Sequence, residues 1–198
     1  MDVIRYAGLK PAPWANGGGI TRQVAAGMAD GTMTAGPGTK GQPWDWRLSI
    51  AEVAKAGPFS ALEGIDRILT VVDGELMALT VNGVEHGLEK FRPFRFSGDS
   101  ETSATLPTGN LMDLNLMTRR GVFRGHTTIL ELSKKRPHPV FAGQLAVLLQ
   151  GNATVSPATG DDGIVADALG KFDTVVGADA APEISGRGFL AVVSIDPA

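Results

Sequence analysis

Arg47 and Ser49 alternate with Trp46, Leu48 and Ile50 in the stretch Asp45-Trp46-Arg47-Leu48-Ser49-Ile50-Ala51-Glu52-Val53. A period of two marks a β-strand, whose successive side chains point to opposite faces. One face is apolar and can build a core. The other sets a guanidinium beside a hydroxyl, a pairing suited to an anion if that face lines a cavity. Alternation alone favours a strand with one solvated face.

A second strand, Leu111-Met112-Asp113-Leu114-Asn115-Leu116-Met117, places Asp113, Asn115 and Met117 on one face. If both faces look into one cavity, it offers a guanidinium, a hydroxyl, an amide and a carboxylate. Arg47 is then the first anchor for a ligand carboxylate, and Arg67, Arg22 and Arg119 are candidates for a second. Asp113 would orient an arginine or accept from a ligand N–H, and Ser49 and Asn115 would supply hydrogen bonds. Asn16, Thr21 and Arg22 are candidates for the rim. The structural alternatives are a turn pair for Asp66-Arg67, surface charge for Arg119-Arg120, and a buried Asp113–Arg47 network that would need further hydrogen bonds. Trp14 and Trp46 read as core residues.

The elements that would position these residues are strands. Turn signals recur about every ten residues and no segment has a helical period, which is the pattern of an all-β sandwich or barrel. Val3-Ile4-Arg5-Tyr6 reads as an edge strand, and Trp14-Ala15-Asn16-Gly17-Gly18-Gly19 as a turn into a strand over 20–25. That glycine run lacks the Gly-Lys-Ser/Thr ending of a phosphate loop. Gly27 to Pro43 has no periodicity and reads as a mobile loop. Asp73-Gly74 between β-rich runs predicts a hairpin, and Asn82-Gly83 another turn.

The C-terminal part resembles the middle of the chain. Aligning Gln150-Gly151 with Asp73-Gly74 places Ala146-Val147-Leu148-Leu149 on Leu69-Thr70-Val71-Val72, and Val192-Val193-Ser194-Ile195 on Asp113-Leu114-Asn115-Leu116. The shared order suggests duplication. The expectation is two jelly-roll β-barrels, residues 1–125 and 126–198, with strands free to exchange between them. Only the first keeps polar residues at the 113 and 115 positions, so any site belongs there.

A jelly roll with a Pro-x-Gly before its last strand follows the cupin plan. Cupin metal sites usually need a His-x-His motif with a later Glu and His, yet His86, His126 and His138 are scattered and Met112 stands where a later histidine is usual. No bound metal or other cofactor is expected, and the histidines read as surface or loop residues.

Composition narrows the partners. The 198 residues carry a formal net charge of -3, with 43% hydrophobic and 20% charged residues. That balance fits a soluble globular protein and lacks the basic stripe of a nucleic-acid binder. Lys134-Lys135-Arg136 reads as a solvated linker. No apolar run reaches a membrane span and no secretory signal opens the chain, so a cytoplasmic protein is expected. The chain has no cysteine, hence no disulfide framework and no thiol nucleophile. An open sheet edge leaves room for a homodimer.

Taken together, Trp14-Ala15-Asn16-Gly17-Gly18-Gly19-Ile20-Thr21-Arg22, Trp46-Arg47-Leu48-Ser49-Ile50-Ala51, Gly57-Pro58-Phe59-Ser60, Gly64-Ile65-Asp66-Arg67 and Asp113-Leu114-Asn115-Leu116-Met117-Thr118-Arg119-Arg120-Gly121 resemble the HutD/Ves family. The resemblance implies a bicupin fold and no established enzymatic activity. For HutD-type members it implies binding of formylglutamate, an intermediate of bacterial histidine utilisation, and restraint of that pathway; Ves-type members are linked to stress. A dicarboxylate of that kind needs a positive fork for each carboxylate and neutral partners for its amide. The competing expectation is a metal-independent cupin isomerase, lyase or amidohydrolase with Asp113 as general base. The long Gly-rich stretch from Gly31 to Gly41 departs from the family pattern.

Overall fold

The computed structural model describes residues 1–36, 41–158 and 166–198. The strands are, in chain order, β1 (Asp2–Ile4), β2 (Ala12–Pro13), β3 (Gly19–Gly27), β4 (Met33–Ala35), β5 (Trp46–Val53), β6 (Gly57–Pro58), β7 (Ile65–Asp73), β8 (Leu76–Val81) and β9 (Val84–Glu89). They continue with β10 (Phe94–Ser97), β11 (Thr102–Thr105), β12 (Leu111–Arg119), β13 (Phe123–Leu132), β14 (His138–Pro139), β15 (Gln144–Ser156), β16 (Asp167–Leu169), β17 (Thr174–Val176) and β18 (Glu183–Pro197). Among the described residues the one helical element is a 3-10 turn at Tyr6–Gly8. The all-β expectation therefore holds.

The chain divides into two compact units, one of Leu9–Gly125 with Pro197–Ala198, the other of Met1–Gly8 with His126–Asp196. The first unit is a sandwich. Its larger sheet runs β10-β7-β12-β5-β3-β2, with β4 paired to β3, and its smaller sheet runs β6-β11-β8-β9. Neither sheet closes on itself. The inward residues of the larger sheet occupy odd positions: Ala51 and Val53 of β5, Leu69 and Val71 of β7, and Leu111 of β12. They form one apolar cluster with Met77, Leu79, Leu88 and Ala104 of the smaller sheet.

In the second unit the order is β1-β17-β15-β18-β13, with β16 on β15 and β14 on β18. Its interior is apolar, with Ala146, Leu148, Val155, Val175, Leu190 and Val192 among its members. β1 is an edge strand, as expected, and pairs antiparallel with β17. Arg5 secures it there through ion pairs to Asp167 and Asp173.

Several sequence expectations need correction. Asp73-Gly74 does not close a hairpin: β7 pairs with β10 and β12, whereas β8 pairs with β9 and β11. The Asp-Gly turn instead carries the chain from one sheet to the other, with Gly74 at φ 84°. The two-residue hairpin lies one turn later, at Asn82-Gly83, where Val81 pairs with Val84 and both turn residues have positive φ (49° and 80°). Gly57-Pro58, read as a turn, is a short strand on β11. The stretch from Gly27 to Pro43 is not loop throughout, because Met33–Ala35 pairs with β3; its residues 37–40 lie outside the described residues. The histidines, expected at the surface or in loops, are exposed only at His126. All three lie in strands, His126 exposed, His86 and His138 half-buried.

Candidate functional site

Three adjacent strands, β5, β12 and β7, build the site wall, and their register determines which side chains stand side by side. Arg47 faces Met117, and Met117 faces Arg67. One step along, Ser49 faces Asn115, which faces Leu69; the next row is Ala51, Asp113 and Val71. Strands are about 4.8 Å apart, so the two arginine backbones lie about 10 Å from each other across Met117. Asp113, four residues along β12, stands about 14 Å from that row at about 3.4 Å per residue. Bulges at both flanks reset the register, between Gln23 and Ala25 on β3 and beside Val72 on β7. Such extra residues re-aim the side chains beside them.

These rows open into a cavity of about 380 Å³. Arg47, Ser49, Arg67, Asp113 and Asn115 line it from β5, β7 and β12, Thr21 from β3, and Asn16 from the turn before β3. Thus alternation on β5 concerns a cavity and not a solvated face: Ser49 is 2% exposed, Asp113 1% and Arg67 4%. Two expected site residues lie elsewhere. Arg22 pairs with Ile50 in register, which turns it to the opposite face from Arg47, and it forms an ion pair with Glu52. Arg119 shares the face of Met117 but falls at the exposed end of β12, where it binds Asp45. Asp66 and Arg67 are not a turn pair either, since both lie within β7 and Asp66 binds Arg120.

Sequence reasoning missed the aromatic side of the cavity. Trp14, read as core, lines it together with Phe59. The Trp14 indole N–H donates to the Thr21 hydroxyl oxygen at 2.7 Å, and its ring meets Phe59 edge-on at 6.4 Å. Trp14 precedes a glycine-containing turn and Phe59 follows the two-residue strand β6, so no periodicity marks them. The only signal was their place in the motifs Trp14-Ala15-Asn16-Gly17 and Gly57-Pro58-Phe59-Ser60.

Both arginines are held by ring faces and not by carboxylates. The Arg67 guanidinium lies 5.2 Å from the Phe59 ring centroid and 5.0 Å from that of Phe96. That of Arg47 lies 4.8 Å from the Trp44 ring, and its Nη2 donates toward Met117 Sδ at 3.1 Å. Neither has an ion-pair partner among the described residues, and the Nε of each is buried without a hydrogen bond. Asp113 Oδ1 and Asn115 Oδ1 are likewise buried and unpartnered. The expected Asp113–Arg47 network is therefore not formed.

Burial sets the protonation of the site. It lowers Arg67 to about 10, with the Asp113 charge opposing that fall and the Arg47 charge adding to it. It lowers Arg47 as well. Both remain cationic at neutral pH. Burial raises Asp113 to about 7, against the pull of Arg67. The cavity thus joins two desolvated cations to a carboxyl poised near neutrality. Such a site attracts a small anion into the guanidinium row and leaves hydrogen-bonding groups for its other end.

A metal does not fit these donors. One carboxyl, one amide oxygen, a hydroxyl and a thioether are flanked by two cations, and no histidine lines the cavity. Among the described residues no group of three or more His, Asp or Glu side chains converges as metal ligands.

The family model described as HutD matches residues 6–192. The chain is 41% identical to Protein Ves of Citrobacter koseri over 122 residues, 59% of this chain and 59% of that protein. It therefore spans about three fifths of that curated relative's length. Among solved structures it is similar to HutD from Pseudomonas fluorescens SBW25, with TM-score 0.74, 28% identity, and coverage of 100% of this chain and 98% of that one. A Cupin 2 conserved barrel domain protein from Leptotrichia buccalis matches with TM-score 0.59 and 12% identity, over 98% of this chain and 96% of that chain. The last likeness concerns the fold, which is that of the cupins.

Proposed function

The chain belongs to the HutD family, and from that membership we propose that its cavity binds a small carboxylate and thereby modulates histidine utilisation without turnover. N-formylglutamate is the candidate ligand. The observation that carries this reading is the arginine pair, Arg67 buried and Arg47 half-buried, which lines one cavity with no ion-pair partner among the described residues. A buried cation without a direct ion-pair partner is costly, and an anionic ligand offsets that cost. Ser49, Asn115, Asn16 and Thr21 supply neutral hydrogen bonds.

The test is calorimetric titration of the EDTA-treated full chain with N-formyl-L-glutamate, with glutamate, histidine and urocanate as controls. Saturable binding that Arg47→Ala or Arg67→Ala removes, without unfolding, supports the reading. No heat at millimolar ligand rejects formylglutamate.

One observation favours a second reading. A carboxyl brought to about 7 suits a general base at neutral pH. In that reading the protein is a metal-independent cupin enzyme acting on a small carboxylate, with Asp113 taking the proton. Conversion of such a compound, lost in Asp113→Asn, would establish it.

The architecture is read in the same way, as two diverged copies of one jelly roll, in a cytoplasmic, metal-free protein. In support, β15 and β18 are joined as β7 and β12 are. The alignment of the copies would set Val192 opposite Leu148, yet Val192 pairs with Ala146. The offset is two residues and keeps the same side chains inward. An exposed sheet edge would serve a homodimer, which sedimentation of the purified chain tests.

A further inference from the structure

β12 ends at Arg119, Arg120 follows in the turn, and each grips a different side of the guanidinium row. Arg119 reaches toward β5. Its Nε donates to Asp45 Oδ1 at 2.7 Å, its Nη2 to the Trp44 carbonyl at 3.1 Å, and its backbone N–H to the Asp45 carbonyl at 2.7 Å. Trp44 supplies the ring on which the Arg47 guanidinium lies. Arg120 reaches toward β7 and β10. Its Nε and Nη2 donate to Asp66 Oδ1 at 3.0 and 2.9 Å, and Nη2 also donates to Ser97 Oγ at 2.8 Å. Its Nη1 lies 2.8 Å from Asp99 Oδ2, and its backbone N–H donates to the Gly64 carbonyl at 2.9 Å.

Asp66 immediately precedes Arg67, and Ser97 immediately follows Phe96, whose ring lies against the Arg67 guanidinium. The Arg67 guanidinium and its Phe96 ring are thus fastened to Arg120 through the chain neighbours Asp66 and Ser97, and the Trp44 ring under Arg47 is fastened to Arg119 through its own carbonyl and Asp45. Between the two fastenings stands Met117, which separates the buried pair.

Isolated surface ion pairs contribute little to stability. A planar fork engaging two or three acceptors does more for geometry than a point charge can. We propose that Arg119 and Arg120 are positioning residues that fix the gap between the Arg47 and Arg67 guanidiniums, so that the cavity selects ligands with two anionic groups over ligands with one. A single carboxylate can engage either guanidinium and is indifferent to their spacing. Two carboxylates on one ligand must match it. This inference rests on the reading of the cavity as a carboxylate site.

The experiment measures dissociation constants of the full chain for malonate, succinate, glutarate, adipate and N-formyl-L-glutamate, and for butyrate as a monoanion. Wild type is compared with Arg119→Gln and Arg120→Gln. The expected result is a preferred dicarboxylate length in wild type. Each variant should lose at least about fivefold on the preferred dianion and less than about twofold on butyrate, and the length preference should flatten. Asp45→Asn and Asp66→Asn, which keep side-chain size, weaken the same contacts from the other side by removing the carboxylate charge and should repeat the pattern in smaller measure if an arginine variant fails to fold. Arg120→Lys should restore little, because an ammonium cannot bridge Asp66, Ser97 and Asp99 in one plane. Wild type that binds no dicarboxylate overturns the carboxylate site and the positioning role together. Wild type that binds them, with variants that lose dianion and monoanion equally or lose nothing, overturns the positioning role alone.

Discussion

Arg47 and Arg67 face the same residue, Met117, from the two strands that flank β12. Two like charges are thereby set on one buried wall, with ring faces, a thioether and unpartnered polar atoms as their surroundings. A protein with no use for such an arrangement would gain by replacing it.

That cost is measurable. Cation–π contacts contribute about 0.5–2 kcal/mol each, less than the penalty of an unpaired buried charge. Arg67→Met, similar in length and apolar, should therefore raise the stability of the ligand-free protein below pH 7, where Asp113 is protonated and has no charge to leave unpaired, by about 1 kcal/mol, while removing carboxylate binding. Urea unfolding checks the first effect and calorimetry the second. A variant less stable than wild type would mean that Arg67 is satisfied in solution in a way this cavity does not account for.

Asp113 should impose a pH dependence. Its folded value, about 7, lies above the ordinary 3.8. The folded state therefore holds the proton more tightly than the unfolded chain, and stability is greatest below the unfolded value. It declines as pH rises through the window from about 4 to 7 and levels off above. Asp113→Asn should abolish that decline. Unfolding curves at several pH values test this, and identical slopes for the two proteins would refute a buried, raised Asp113.

The same group links pH to the ligand. An anion in the guanidinium row favours the neutral carboxyl, so affinity should fall as pH rises past about 7, by at most about tenfold per unit for one proton. Asp113→Asn should flatten the profile. A flat wild-type profile would place Asp113 outside the electrostatics of binding.

Gly19 links backbone to cavity. A Cβ there would come 2.4 Å from the Glu52 carbonyl and 3.1 Å from the Trp14 ring. Gly19→Ala should cost about 1–3 kcal/mol and weaken carboxylate binding by shifting Trp14. Normal binding with reduced stability would separate Trp14 from the ligand.

Two turn glycines differ in a way that isolates packing from backbone strain. Gly83 and Gly74 have φ of 80° and 84°, but an added Cβ meets nothing within 4 Å at Gly83 and lies 2.7 Å from Leu111 Cβ at Gly74. Gly83→Ala should cost about 1 kcal/mol, and Gly74→Ala clearly more. Neither substitution touches the cavity. Equal losses would show that strain alone decides both.

The legible part of this molecule was local. Alternation within a strand tells which side chains share a face, and it assigned Arg47 with Ser49 and Asp113 with Asn115 from the sequence alone. It also contains the reason Arg22 is misplaced: one residue along β3 from Thr21, it points the other way. Pairing between distant strands left no comparable mark. Asp73-Gly74 has the composition of a hairpin, but β7 finds better partners in β10 and β12, so the turn becomes a corner between sheets. Arg67 could be proposed only as one of several second anchors, because its place opposite Met117 depends on a register set by residues 50 positions away. Trp14 and Phe59 lie between short elements with no period to follow.

The inward wall of β5, β12 and β7 is polar at one end and apolar at the other, with the boundary near Ala51 and Val71. It behaves as a graduated scale whose rungs are two residues apart. Moving the boundary by one rung, for instance with Ala51→Ser and Val71→Thr, would lengthen the polar reach without altering the guanidinium row. Relatives could in this way diverge toward longer or shorter ligands by single interior substitutions, the charged end staying fixed while the far end adapts.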